Sequence, residues 1–420
     1  MALVTQTDIL PASRIVLANQ RLEGVVLRTP LIENPLFSEL YSARILFKRE
    51  DLQVVRSYKL RGAYNKMCQL SDSAKAKGIV CASAGNHAQG VAFSCSSLKI
   101  SGKIFVPQTT PRQKVDKVKL FGKEHVEVIL HGDTFDDAYK AAVEESAASG
   151  RNFIHPFDDE EIIAGQGTVG LEIIADNQKV DYLFLPVGGG GVSAGVGSYF
   201  KQLSPHTQII GVEPEGAPAM KRSLEAGERV FLPSIDKFVD GAAVKQVGEH
   251  TFRICQQVLD DIVLVPEGKV CTTILQLYNE EAIVVEPAGA LTLAALDAYK
   301  EKIAGKTVVC LLSGGNNDIT RMEEIKERSL LHERLKLYFL IRFPQRAGAL
   351  REFLVHVLGP KDDISRFEYT KRNNRASGPA LVGVELEKKE DYQQLLQRMD
   401  SHGIDYQLIN DDPMLFNMLV

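Results

Sequence analysis

Short apolar runs rich in β-branched residues alternate with longer amphipathic stretches from about Ala43 to Leu312. Such runs, with little polar alternation, read as strands buried on both faces, and the stretches between them as helices. KIFVP (103–107), VEVILH (126–131), YLFLPV (182–187), QIIGVEP (208–214) and TVVCLLS (307–313) are the clearest, and each meets Gly, Pro, Ser or His where a loop begins. The order predicts an α/β fold built on a parallel sheet covered on both faces. In such sheets ligands gather at the carboxyl ends of the strands, so the loops after these runs are the first place to look for chemistry.

Beyond Asn317 the pattern changes. TRMEEIKERSLLHERLK (320–336) is charged, free of Gly and Pro, and reads as a helical connector. KLYFLIRF then predicts a strand, GALREFLVHVL a helix, SRFEYTKR and ALVGVELE two strands joined through NNRASGP (373–379), DYQQLLQRM a helix and IDYQLIND a last strand. That β-α-β-β-α-β order is ferredoxin-like. The expected division is 1–319 for the α/β part, 320–335 for the connector and 336–420 for the α+β unit.

Composition narrows the class. The 420 residues carry a net charge of −5, with 45% hydrophobic and 25% charged side chains, so neither disorder nor a nucleic-acid footprint is indicated. Tyr182 to Phe200 is uncharged over a membrane-spanning length, yet a proline and four glycines interrupt it, which favours a strand, a turn and a helix over a membrane span. Six scattered cysteines lack metal-ligand spacing and read as reduced core thiols of a cytoplasmic protein, with no metal expected. The first residues, MALVTQTDILPAS, lack the pattern of a secretory or transit signal.

Four loops carry candidate chemistry. In Ser57-Tyr58-Lys59-Leu60-Arg61-Gly62-Ala63, Lys59 falls near a helix start, where the dipole and Arg61 disfavour an ammonium and ease imine formation. A solvated capping lysine is the plain alternative. Ser83-Ala84-Gly85-Asn86-His87-Ala88-Gln89-Gly90 follows the strand IVCA; its glycines allow close approach, Asn86 offers a donor and an acceptor, and His87 reads as structural more readily than as a general base. Gly188, Gly189, Gly190 and Gly191 expose backbone N–H groups before a helix, as a phosphate requires, or simply make a tight turn. Neither a dinucleotide fingerprint nor a P-loop fits, because no acid lies between Lys201 and Ile210 and no Gly-Lys-Ser/Thr follows. In Ser313-Gly314-Gly315-Asn316, Ser313 offers a hydroxyl to a heterocyclic nitrogen. Together, the imine-forming lysine, phosphate cradle, asparagine and hydroxyl match the groups of pyridoxal 5'-phosphate.

With these motifs in place, the sequence resembles the threonine/serine dehydratases of pyridoxal-phosphate fold type II over essentially its whole length. The resemblance implies a two-subdomain catalytic region like the tryptophan synthase β subunit. It implies that Lys59 holds the cofactor and removes the substrate α-proton, that Asn86 contacts the ring oxygen, that Gly188 to Gly191 bind the phosphate and that Ser313 faces the pyridine nitrogen. The loop of Ser83, Gly85, Asn86 and His87 looks like the receiver of the substrate carboxylate.

The C-terminal unit is similar to the ACT-like regulatory domain of biosynthetic threonine dehydratases, although only one such unit is present rather than the two of the long form. The implied reaction is deamination of L-threonine to 2-oxobutanoate and ammonia, the first step of isoleucine biosynthesis, with isoleucine as allosteric inhibitor and a homotetramer as the expected assembly. Arg346, Ala347, Gly348 and Leu350, at a strand-to-helix turn, are candidate effector or interface residues. The competing readings are a serine dehydratase or racemase of the same fold, and a non-catalytic amino-acid sensor.

Overall fold

The computed structural model describes residues 9–177, 179–369 and 376–420. It divides into two compact units, one ending at Asp318 and the other starting at Ile319. The start of the chain before residue 9 and part of the turn expected over 373–379 lie outside the described residues.

In the first unit the strands are β1 (Leu31–Glu33), β2 (Arg44–Arg49), β3 (Ile79–Ala82), β4 (Gly102–Val106), β5 (Val126–Leu130), β6 (Asn152–Phe153), β7 (Tyr182–Pro186), β8 (Gln208–Pro214), β9 (Asp261–Val265) and β10 (Thr307–Leu312). They form not one sheet but two: a six-stranded sheet in the order β1-β2-β10-β7-β8-β9 and a four-stranded sheet in the order β5-β4-β3-β6. All pairings are parallel except that of the short edge strand β1 with β2. The central runs, such as Ile79 to Ala82 and Leu183 to Pro186, are buried throughout, which is why they lack polar alternation. The uncharged run from Tyr182 resolves into β7, the glycine turn and the helix Gly191–Leu203.

The helix Lys59–Cys68 packs closely against its neighbours. A Cβ on Gly165, in the helix Glu160–Asp176, would lie 2.4 Å from the carbonyl oxygen of Arg61, and one on Gly90, in the helix Asn86–Leu98, 3.1 Å from Leu60 Cα. Below it lies a buried ionic network. Arg61 donates to Glu50 (2.7 and 2.8 Å) and to Glu172 (2.7 and 3.0 Å), and Lys48 donates to Glu172 (2.5 Å) and to the Thr29 carbonyl (2.6 Å). The Arg61 and Lys48 side chains are wholly inaccessible to solvent. Charges this deep are tolerated because each is paired and hydrogen-bonded.

The second unit contains β11 (Lys336–Pro344), β12 (Asp363–Tyr369), β13 (Ser377–Glu385) and β14 (Tyr406–Leu408), all antiparallel in the order β12-β13-β11-β14. The helices Ala349–His356 and Asp391–Ser401 complete the ferredoxin-like unit, which closes a core around Phe339, Phe353, Val382 and Leu395. The helix Met322–His332 belongs to this unit: Tyr338 Oη donates to Glu327 (2.7 Å) and Lys336 pairs with the same carboxylate. A further helix, Pro413–Leu419, follows β14, with the Asp412 carboxylate accepting from the Met414 and Leu415 amides.

Candidate active site

The carboxyl ends of β3, β6 and β7, together with the loops after β2 and β10, bring the predicted residues together in the first unit. A cavity of about 780 Å³ is lined by Lys59, Ser83, Gly85, Asn86, His87 and Gly189, along with His155, Phe157, Glu286 and Asn316. Gly188, Gly190, Gly191 and Ser313 are not among the lining residues. The Phe157 ring lies where a Cβ on Gly189 would fall, 2.3 Å away, and Ser313 is buried with its hydroxyl donating to the Ala288 carbonyl (3.2 Å).

Lys59 is the first residue of its helix, and its Nζ donates to the Pro156 carbonyl (3.1 Å). Burial lowers its amine to about 8, against an opposing pull from the Glu286 carboxylate. The sequence-based appeal to Arg61 is therefore corrected: that guanidinium is turned into the ionic network, and desolvation supplies the shift.

Asn86 begins its own helix. Its Nδ2 donates to Glu286 Oε1 (2.6 Å), and its Oδ1 accepts from Asn316 Nδ2 (2.7 Å), which also donates to the Val55 carbonyl (2.9 Å). Asn316 Oδ1 in turn accepts from Lys117 (3.3 Å). Burial, with Asp240 nearby, raises the Glu286 carboxyl to about 7. His87 donates its Nε2–H to the Ile154 carbonyl (2.9 Å), and burial drops its imidazole to about 3, so near neutral pH the ring is uncharged with its one proton engaged by that carbonyl.

The segment after β6 locks the wall opposite. His155 Nδ1 accepts from the amides of Phe157 (3.2 Å) and Asp158 (2.7 Å), which leaves its proton on Nε2, and burial lowers its imidazole to about 4. Asp158 accepts from the amides of Glu249 (2.8 Å) and Thr251 (3.1 Å), capping the helix Glu249–Val258. Thr251 Oγ1 then donates to the Gly189 carbonyl (2.6 Å), joining that helix to the glycine turn.

The arrangement fits the cofactor the sequence implies. The glycine turn is packed so tightly that side chains would not fit: a Cβ on Gly188 would meet the Ala242 backbone at 2.8 Å and one on Gly191 would meet Gln166 Oε1 at 2.5 Å. Gly190 holds φ +93°, a region that favours glycine. Among the described residues of this unit, buried side-chain polar atoms without a hydrogen-bond partner include those of His87 and Gln89, which line the cavity, and of Ser57 and Gln166, which do not. Such groups call for a polar ligand.

Sequence reasoning missed Glu286, His155 and the part played by Asn316. Glu286 sits in an apolar stretch before Pro287, so only its isolation among hydrophobic residues marked it.

Comparison with known proteins shows the family. Residues 22–314 match the family described as pyridoxal-phosphate dependent enzyme, and residues 327–419 match the C-terminal regulatory domain of threonine dehydratase. The chain is 60% identical over 407 residues to L-threonine dehydratase biosynthetic IlvA of Halalkalibacterium halodurans, covering 97% of this chain and 98% of that protein. It is 59% identical to the Bacillus subtilis protein of the same description, covering 100% and 99%. Among solved structures, the processed form of threonine deaminase isoform 2 from Solanum lycopersicum superposes with a TM-score of 0.73 at 40% identity, covering 79% of this chain and 92% of that one.

Proposed function

The chain belongs to the pyridoxal-phosphate-dependent threonine dehydratases, and from that premise we propose how its own residues divide the work. The reaction is the deamination of L-threonine that opens isoleucine biosynthesis. Bound pyridoxal phosphate supplies an electrophilic carbon and a sink for electrons. Lys59 Nζ would hold the cofactor and serve as the base for the substrate α-proton; an amine lowered to about 8 has a useful neutral fraction near physiological pH.

With the cofactor bound, Asn86 would contact its ring oxygen, Ser313 its ring nitrogen, and the amides of Gly188 to Gly191 its phosphate. The loop of Ser83, Gly85, Asn86 and His87 receives the substrate carboxylate on backbone donors. The single observation that carries this reading is that Lys59, its amine lowered by burial, shares one cavity with Asn86 and Gly189.

The second unit is the regulatory part, and its effector is isoleucine. The support is its ferredoxin-like topology and its match to the regulatory domain of threonine dehydratase. Arg346, Ala347 and Gly348 are exposed in the turn between β11 and the next helix, and Leu350 is exposed in that helix's first turn, with Arg346 paired to Glu352 (2.5 Å). A homotetramer is the assembly in which this control operates. A cytoplasmic setting suits the six cysteines, all free; no helix of the described residues is long and apolar enough to cross a membrane.

The test is formation of 2-oxobutanoate from L-threonine, with and without isoleucine, alongside L-serine. Threonine should outperform serine, the extra methyl being worth about 1–3 kcal/mol. Equal turnover of both substrates and indifference to isoleucine would reject the assignment.

A further inference from the structure

We infer that Glu286 is a positioning residue that fixes the side-chain amide of Asn86, so that Asn86 turns its N–H edge and not its carbonyl toward the bound cofactor. The inference rests on the reading of Asn86 as a cofactor contact.

The observation is a chain of hydrogen bonds with one polarity. Lys117 can only donate, and it meets Asn316 Oδ1 at 3.3 Å. That fixes Asn316 with Nδ2 toward Asn86 Oδ1 (2.7 Å) and the Val55 carbonyl (2.9 Å), and it leaves Asn86 Nδ2 toward Glu286 Oε1 (2.6 Å). An isolated asparagine amide can turn over, exchanging donor for acceptor. Here a cation holds one end of the chain and a carboxylate oxygen the other, and both favour the same orientation. The second N–H of Asn86 is then available for an electron-rich ring oxygen, while its carbonyl is engaged by Asn316.

The backbone holds Glu286 in place for this task. A Cβ on Gly314 would fall 2.1 Å from Glu286 Oε1, so the second residue of the Ser-Gly-Gly-Asn segment must be glycine for the carboxyl to reach Asn86. The amide of Glu286 also donates to the Gly314 carbonyl (3.1 Å). Residues 313 to 316 thus supply both the opening through which Glu286 reaches Asn86 and, in Asn316, the far side of the clamp. Glu286 precedes the helix Pro287–Ala294 without capping it by its side chain, so truncation should spare the helix. Burial raises its carboxyl to about 7, and the protonated form keeps an acceptor oxygen for Asn86.

The experiment reconstitutes cofactor-free protein with pyridoxal phosphate and compares wild type, Glu286→Ala, Glu286→Gln and Asn316→Ala. The readouts are cofactor dissociation constant, position of the bound cofactor's long-wavelength absorption band, and melting temperature of the cofactor-free protein. Losing one oriented hydrogen bond should weaken cofactor binding about tenfold in Glu286→Ala and shift the band, with Asn316→Ala changing both in the same direction. Glu286→Gln, which keeps an acceptor oxygen, should restore binding to within about twofold and restore the band. Wild-type affinity and spectrum in Glu286→Ala, or equal losses in the Gln and Ala variants, would overturn the inference. If Glu286→Ala does not fold, the comparison of Asn316→Ala with Glu286→Gln decides it: an unchanged spectrum in Asn316→Ala, or a weakened Glu286→Gln, overturns it. A wild-type protein that binds no cofactor would instead refute the reading of the site itself.

Discussion

Gly165 presses so closely on the backbone of Arg61 that a Cβ there would stand 2.4 Å from the Arg61 carbonyl oxygen. Two helices therefore meet with no side chain between them, two residues from Lys59. Gly165→Ala should cost about 1–3 kcal/mol by overpacking and displace the helix that carries Lys59. Thermal melting and cofactor affinity should fall together; a variant with unaltered affinity would show that this contact does not place the lysine.

Lys59→Ala should leave a folded, colourless protein that carries no label after borohydride treatment and produces no 2-oxobutanoate. Peptide mapping of the reduced wild type should find the cofactor on residue 59. Substantial turnover by the variant would remove Lys59 from the mechanism.

The buried amine predicts a pH dependence. Because burial lowers Lys59 to about 8, the rate of imine formation on cofactor-free protein should rise with an inflection near pH 8 and not near the ordinary lysine value. The sign for stability follows from a folded value below the unfolded one. Burying the ammonium opposes folding at low pH, and the penalty fades as pH rises through 8. Stopped-flow absorbance from pH 6 to about 10 would check the inflection.

The network of Lys48, Glu50, Arg61 and Glu172 should respond strongly to the loss of one member. Arg61→Met leaves Glu50 buried without its cationic partner and Glu172 with Lys48 alone, and should cost about 3–5 kcal/mol in urea unfolding. A change near that of an exposed ion pair, below about 1 kcal/mol, would mean that the cluster relaxes or admits water.

Isoleucine should raise the threonine concentration at half-saturation by about 5–150-fold, the range of ordinary coupling energies. Equilibrium binding should show the converse, threonine weakening isoleucine. Binding of isoleucine without any shift in threonine saturation would leave the second unit without a regulatory role.

Much of this was legible in the sequence for identifiable reasons. The runs that became β4, β7, β8 and β10 are largely buried on both faces, so their composition announced them; β5, at the sheet edge, is partly exposed and stood out by its β-branched residues alone. Lys59, Asn86 and the glycines stood out because their chemistry is rare in combination. The division of the strands into two sheets did not, since pairing joins residues far apart in sequence, such as Thr307 with Arg44. Glu286 and Asn86 are likewise 200 residues apart, and no local pattern relates them. The antiparallel edge Leu31–Glu33 is too short to show a period. The last helix was overlooked although Asp412 offered a capping signal.

The four glycines after β7 leave natural variation almost no room. At Gly188 an added carbon runs into main chain, at Gly189 into an aromatic ring, and at Gly190 any other residue is strained by its torsion angle. Since glycine is the smallest residue, every mutation here enlarges. A side chain at any of these positions can be accommodated only if the neighbouring walls are rebuilt with it, so single substitutions in this turn carry a penalty that a second change elsewhere would have to relieve.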